Sequence, residues 1–275
     1  MIKLIGSDID GTLTREGSTV INPEYFHVIR ELKKYGIKFC ACSGRQYQSM
    51  YKLLEPVADD IYFICEIGTL IRTKDEILHS WHIEEDLYAP LVEEIRSIGG
   101  LKILASGADM SWIEEADDSE FMHLLRDDYR YDIMHVDDLT GEVPAEKILK
   151  LSIYHPTSIE EKTHALREDP RFDHLNMVPS GSMFIDIYPR EAGKGEAFAL
   201  LQEYLEIGIE ETVFFGDNLT DIAAFKEAGV TATVANARPE VQDWADKVEL
   251  SYSEDGVLRE LHNLLKHRKD FLNAQ

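Results

Sequence analysis

Cysteine is scarce in this chain: Cys40, Cys42 and Cys65 are the only three, two of them inside "IKFCACSGR". An odd number at that spacing makes no disulfide framework. The three read as small buried hydrophobes in strands, not as metal ligands. Positive charge is short as well, with 28 Lys and Arg against 52 Asp and Glu and a formal net charge of −24. Nucleic acids and anionic membrane surfaces reward basic stripes, so neither is an expected partner. An anionic small molecule stays open, because a bound cation inverts the field of a site. No apolar run approaches the ~18 residues of a membrane span, and no N-terminal segment joins a basic stretch to a long apolar one. The expectation is a soluble, cytoplasmic protein. The ten histidines are scattered, with no H-x-x-x-H and no His/Cys group, which argues against zinc. His79 and His82, on either side of Trp81, read as strand residues with ordinary packing. Repeats and low-complexity segments are missing too.

What remains is a core-forming chain of 275 residues, 44% of them hydrophobic, long enough for one large domain or two ordinary ones. "KLIGSD" is a short apolar strand. "NPEYFHVIRELKKYG" carries helix punctuation, with Asn22 as N-cap, Pro23 at the first helical position and Gly36 past the end. Phe26, Ile29 and Leu32 recur at helical spacing and are expected to face a sheet. "IKFCAC" predicts a second strand, "QYQSMYKLLEP" a helix stopped by Pro56, and "IYFICEIGTLI" a third strand. This βαβαβ rhythm implies an α/β fold with a parallel, doubly wound sheet. From about Glu84 the order changes to mixed helices and strands, including paired strands in "HLNMVPSGSMFIDIYP". After Pro189 the first rhythm resumes. The middle, residues 84–186, therefore reads as an α+β insertion within a core made of residues 1–83 and 187–275.

Ligands of doubly wound folds bind beyond the carboxyl ends of the strands. Four polar clusters fall there: Asp8 and Asp10 in "DIDGTLT", Ser43-Gly44-Arg45, Lys194 in "AGKGEA", and Asp217 and Asp221 in "FFGDNLTD". Two carboxylates at one strand end repel each other, and either solvent or a cation has to offset that. Ser43 and Gly44 stand where a strand hands over to a helix, a place where a hydroxyl and free backbone N–H groups seat an anion. Arg45 has two readings, reaching a substrate or pairing with a surface acid.

"DIDGTL", "CSGR", "PREAGKG" and "GDNLTDIAAFKEAG", in this order, resemble the four motifs of the haloacid dehalogenase superfamily. The long insertion ahead of Lys194 resembles its Cof-type members, which have a Rossmann-like core and a large α/β cap that selects substrates. The resemblance implies a Mg²⁺-dependent phosphomonoester hydrolase acting on a small phosphorylated metabolite. Asp8 is then the nucleophile that forms an aspartyl-phosphate, and Mg²⁺ neutralises the repulsion between carboxylate and phosphate. The Asp8 carboxylate, the backbone carbonyl of Asp10, and Asp217 become its oxygen ligands. Asp221 completes the acidic set by orienting waters or Lys194. Strand periodicity aims Asp10 along the side of Asp8, where it serves as general acid and then general base. Ser43, Gly44, Lys194 and Arg45 become the phosphate and substrate contacts.

Two positions depart from the family pattern. Thr220 stands where "GDxxND" has Asn, and Ile67 stands at the Asn of the usual "NGA". Thr220 keeps a hydrogen-bonding hydroxyl and Asn218 on the same turn offers an amide, so both join the candidate phosphate contacts; Ile67 offers neither group. The two departures also suggest an alternative, a phosphometabolite-binding or regulatory protein with a decayed site. A metal-dependent glycosyltransferase with a DxD is the other, but it leaves Lys194 and "GDNLTD" unexplained.

Overall fold

The computed structural model describes residues 1–116 and 119–273. Five strands come first: β1 (Leu4–Ser7), β2 (Lys38–Cys42), β3 (Ile61–Cys65), β4 (Leu70–Arg72) and β5 (Ile77–Ser80). Six follow in the middle of the chain: β6 (Lys102–Ser106), β7 (Ser111–Ile113), β8 (Ile133–His135), β9 (Lys150–Tyr154), β10 (Leu175–Ser180) and β11 (Phe184–Pro189). The last three are β12 (Thr212–Gly216), β13 (Val230–Val234) and β14 (Lys247–Glu249). The chain divides into two compact units, one of residues 1–45, 50–79 and 193 onward, the other of residues 46–49 and 80–192. The second unit thus reaches past 186, because β11 runs to Pro189 and stays paired with β10 up to Leu175.

The first unit is built on an eight-stranded sheet of order β14-β13-β12-β1-β2-β3-β4-β5. Pairing from β14 through β3 is parallel, with the α/β character the sequence rhythm implies. Parallel strands are covered on both faces, so they read as continuous apolar runs. Leu4, Ile5, Phe39, Phe63, Phe214 and Phe215 are all buried. Burying each such side chain contributes ~1.5–3 kcal/mol. Helix Glu24–Lys34 buries Tyr25, Val28, Ile29 and Leu32. Its stripe is therefore rotated from the expected one: Phe26 is only half-buried, and Tyr25 and Val28 take its place against the sheet. Asn22 keeps its capping role, accepting the Glu24 N–H on Oδ1 at 3.0 Å. The α-helix Tyr47–Leu54 stops ahead of Pro56 as expected, and Pro56 lies in the first turn of the 3-10 segment Glu55–Asp60 that follows. Proline lacks only an N–H that a first turn leaves unused.

"IYFICEIGTLI" is not one strand. Glu66, Ile67 and Gly68 take φ of 50°, 61° and 107°, and the chain folds back so that β4 runs antiparallel to β3. Three left-handed residues in succession reverse the chain, and a β-branched residue there is strained. The Gly68 turn lies directly against the Gly193–Lys194 peptide, where a Cβ would collide with backbone. Strand β14, with exposed Lys247 and Val248, offers no apolar run and is not evident in the sequence.

The second unit carries a six-stranded sheet of order β10-β11-β9-β6-β7-β8, antiparallel except for β7 with β8. The strand pair expected around Pro179-Ser180-Gly181 is β10 and β11. Side chains alternate across this sheet as period two requires. Leu151, Ile153, Ile185 and Ile187 pack with Tyr88, Leu91 and Ile95 of helix Glu85–Ile98 and with Leu166 of helix Ile159–Arg167. On the other face Tyr154 and Phe184 pack with Phe121, Met122 and Leu125. That face also buries Lys150, whose ammonium lies 3.5 Å from Asp186, and Ser152, whose hydroxyl donates to Asp186 at 2.5 Å. No helix among the described residues is long and apolar enough to cross a membrane.

Candidate active site

Strands β1 and β12 run side by side, with Ser7 opposite Phe215, so the residues just after each strand emerge together. Asp8 extends the ladder by one bond, its N–H donating to the Phe215 carbonyl at 2.8 Å, and is buried. Asp217 and Asp221 leave the end of β12 next to it. Lys194 opens helix Lys194–Leu205, and its ammonium donates to Asp8 Oδ1 at 2.7 Å and to Asp221 Oδ1 at 2.6 Å. Asp221 is fully buried, and its Oδ2 accepts the backbone N–H groups of Asp217 and Asn218 at 3.0 and 2.9 Å. Asp217 Oδ1 accepts the Thr12 hydroxyl at 2.8 Å. Gly11, at φ +83°, leaves room for this: a Cβ there would strike the Asp217 carboxylate.

Three buried or half-buried carboxylates thus surround one ammonium. Burial pushes the Asp8 carboxyl well above the usual range, the Lys194 ammonium pulls it back, and the neighbouring Asp221, Asp217 and Asp10 push it up again. Asp217 is raised to about 6, by burial first and then by Asp221. For Lys194, burial works against the charged form, but Asp221 and Asp8 outweigh it and hold the ammonium protonated. The cluster carries more negative charge than its lysine neutralises, which is the condition under which it draws in a proton or a cation.

Oxygen atoms of Asp8, Asp217 and Asp221 lie within 4.8 Å of one another, the one group of three or more acidic or metal-ligating side chains so placed among the described residues. The donor set is all carboxylate, which suits a hard divalent ion such as Mg²⁺ over zinc. Both Asp221 oxygens are already engaged by N–H donors. The residues present therefore fit such an ion through Asp8 and Asp217, with Asp221 as their support.

Asp10 faces different partners. Arg45 Nε donates to Asp10 Oδ2 at 2.7 Å and Nη2 to Oδ1 at 2.5 Å, while the Gly17 N–H reaches Oδ1 at 2.8 Å. Arg45 thus pairs with the candidate catalytic Asp10, not with a surface acid. Ser43 is buried, with its hydroxyl accepting the Arg45 N–H at 3.2 Å and its own N–H bonded to Ile64, and half-buried Gly44 follows it. Asn218 spends its Oδ1 on the Leu219 N–H in a capping box with Asp221. Thr220 is half-buried, and no hydrogen bond joins its hydroxyl to Asp8, Asp217 or Asp221.

A family model for haloacid dehalogenase-like hydrolases matches residues 5–261. The chain belongs to this family. Similar proteins include the 5-amino-6-(5-phospho-D-ribitylamino)uracil phosphatase of Escherichia coli, 25% identical over 98% of each chain. Phosphoglycolate phosphatase 1 of Saccharolobus solfataricus is 27% identical, over 98% of this chain and 99% of its own. A crystal structure from Eubacterium rectale superimposes with a TM-score of 0.88 at 34% identity, covering 96% of this chain and 99% of that one. As a haloacid dehalogenase-like hydrolase the chain is an enzyme, and its two-unit α/β architecture is that of its structural relatives.

Three members of the network lay outside the sequence reading. Thr12 belongs to "DIDGTLT" itself, and its hydroxyl directly after a glycine turn was the available signal. Asn236 donates from Nδ2 to the Gly11 carbonyl at 2.7 Å and accepts the Tyr252 N–H at 3.1 Å, with a sequence separation of 225 residues from Gly11 that no local pattern carries. Ser18 offers its carbonyl to Arg45 at 2.9 Å.

Proposed function

We propose that this hydrolase is a Mg²⁺-dependent phosphatase that cleaves a small phosphorylated metabolite through an aspartyl-phosphate on Asp8. The observation that carries the reading is the cluster of Asp8, Asp217 and Asp221 around Lys194 alone. The relatives with phosphatase activity support the reaction class. Asp8, the Asp10 carbonyl and Asp217 would hold the ion, with Asp221 behind them. When bound, Mg²⁺ supplies the charge that lets a carboxylate approach a phosphate dianion.

In the first step an Asp8 oxygen bonds to phosphorus as the bond from phosphorus to the leaving oxygen breaks. Asp10 gives that oxygen its proton. In the second step water attacks the phosphorus, Asp10 takes the water's proton, and the Asp8–phosphorus bond breaks to release inorganic phosphate. Lys194 holds the transferring group and keeps the Asp8 carboxylate oriented. Ser43 and Gly44 seat phosphate oxygens at the end of β2, and Asn218 and Thr220 border the same edge. Selection among metabolites falls to the inserted unit, residues 84–186, because the core chemistry is common to every phosphate monoester.

The test is hydrolysis of a generic aryl phosphate with and without Mg²⁺, followed by a panel of phosphorylated metabolites ranked by kcat/KM. Metal-dependent phosphate release supports the reading. Tight binding of phosphorylated compounds without turnover would establish the decayed, ligand-binding alternative instead.

A further inference from the structure

Asp10 opens a stretch of turns, residues 10–18, that contains no strand or helix, although its Thr12 and Leu13, and Ile9 before it, are buried. Gly11 and Gly17, both after Asp10 in the chain, take φ of +83° and +68°, and the residues between them turn back on themselves, with Gly11 N–H bonded to the Thr14 carbonyl. A side chain on such a loop is swept through space unless something rigid fixes it. Arg45 is that rigid element. Only 4% of it is exposed, although it carries a charge, and its backbone is anchored twice: its carbonyl accepts the Glu66 N–H at 3.0 Å and its N–H donates to Ser43 Oγ at 3.2 Å. Its guanidinium then makes a two-pronged contact with Asp10, Nε to Oδ2 and Nη2 to Oδ1, and the same Nη2 reaches the Ser18 carbonyl at 2.9 Å. The planar fork fixes both the place and the rotation of the carboxylate, which a lysine cannot do. Asp10 in turn accepts the Gly17 N–H, so Arg45 and Asp10 together hold the adjoining Gly17 and Ser18 of the loop.

We infer that Arg45 is a positioning residue that acts on the reaction through Asp10, and that its guanidinium is committed to that carboxylate and its loop, not to the phosphate of the substrate. The inference rests on the proposed role of Asp10. It places the anchor of the acid–base carboxylate on β2's following turn, a different strand from the one that carries the nucleophile.

A double-mutant cycle reads this directly. Wild type, Arg45→Ala, Asp10→Ala and the double variant are compared on one aryl phosphate in the presence of Mg²⁺. Misplacing a reacting group by about 1 Å costs on the order of 100-fold, so Arg45→Ala is expected to lower kcat by about 10- to 100-fold while KM changes by less than about 3-fold. In the Asp10→Ala background the same change is expected to alter kcat by less than about 3-fold, because the group it positions is gone. Arg45→Lys, with one contact in place of a fork, falls between wild type and Arg45→Ala. An equal loss in both backgrounds, or a loss confined to KM, overturns the inference and makes Arg45 a substrate contact. Should Arg45→Ala fail to fold, Arg45→Gln carries the same cycle. A second readout needs no activity: hydrogen exchange of the Gly17 amide in the metal-free protein is expected to quicken by about 10-fold or more in Arg45→Ala. An unchanged rate contradicts the anchoring. A wild type inactive on every phosphate monoester refutes the proposed function, and the exchange measurement still decides whether Arg45 holds Asp10.

Discussion

Two of the regions that bury charge balance it differently. In the second unit Lys150 and Asp186 form a buried pair, 3% and 4% exposed, and the Ser152 hydroxyl donates to the same carboxylate. At the ends of β1 and β12, Asp8, Asp217 and Asp221 crowd round Lys194, whose side chain and those of Asp8 and Asp221 are 4%, 6% and 0% exposed. Equal burial with unequal charge is the instructive difference. A matched pair satisfies itself, whereas an unmatched cluster is unfavourable until something from outside completes it. Asp10 with Arg45 is a further pairing in the first unit, one acid to one base yet beside the unmatched cluster, so matching alone does not mean inertness.

The largest effect is expected at Asp8. On the proposed mechanism Asp8→Asn removes the nucleophile and a metal ligand at constant volume, so turnover is expected to be abolished. Because it also removes a surplus charge, the melting temperature in EDTA should not fall. Residual turnover in a preparation free of contaminating phosphatase argues against Asp8 as nucleophile. Asp10→Ala comes next, slowing kcat by ~10²–10⁴-fold, with a smaller loss for aryl than for alkyl leaving groups. A loss equal for both leaves protonation of the leaving group unsupported.

Stability separates the two regions more sharply than activity does. Asp186→Ala leaves the Lys150 ammonium with one fewer buried carboxylate and should cost about 3–5 kcal/mol in chemical denaturation. Asp217→Asn in metal-free protein near neutral pH should instead gain about 1–2 kcal/mol, since a carboxyl held at about 6 is ionised there at a cost. The Asn oxygen can still accept from Thr12. Opposite signs for the two variants confirm the contrast; the same sign breaks it. The smallest effect belongs to the turn beside Lys194. Ile67 holds φ 61°, ψ 15° while 97% buried, so strain and burial oppose each other. Left-handed conformation costs roughly 1–2 kcal/mol and losing the burial roughly 1.5–3. Ile67→Asn should therefore destabilise by only about 1 kcal/mol, against about 2–5 for Ile64→Ala in β3.

What the sequence made legible follows from how local each signal is. Asp8, Lys194, Asp217 and Asp221 stand at strand ends or helix starts, where apolar runs, glycines and caps mark the boundary, and the parallel topology brings those boundaries together. The reversal at Glu66–Gly68 was hidden, because Glu and Ile ordinarily avoid positive φ and the apolar residues on both sides read as one strand. In helix Glu24–Lys34 the expected Ile29 and Leu32 are buried and only Phe26 is displaced, since Tyr25 and Phe26 are both apolar enough to fill the stripe and packing alone chooses. The pairing of Arg45 with Asp10 spans 35 residues and two strands, and no local pattern selects it over a substrate contact.

The claim that the unmatched cluster exists to receive a divalent cation is tested most directly by Mg²⁺ binding as a function of pH, measured by calorimetry on EDTA-stripped protein. Asp217 is raised from 3.8 to about 6, so between those values the folded metal-free protein keeps a proton that the unfolded chain has lost. Its contribution therefore weakens stability as pH rises through that window, and Mg²⁺ competes with that proton. The account predicts one bound ion per chain, with affinity that falls by up to about tenfold for each unit below pH 6 and with binding lost in Asp8→Asn. No binding at neutral pH, or an affinity unchanged between about pH 5 and about pH 7.5, would contradict it.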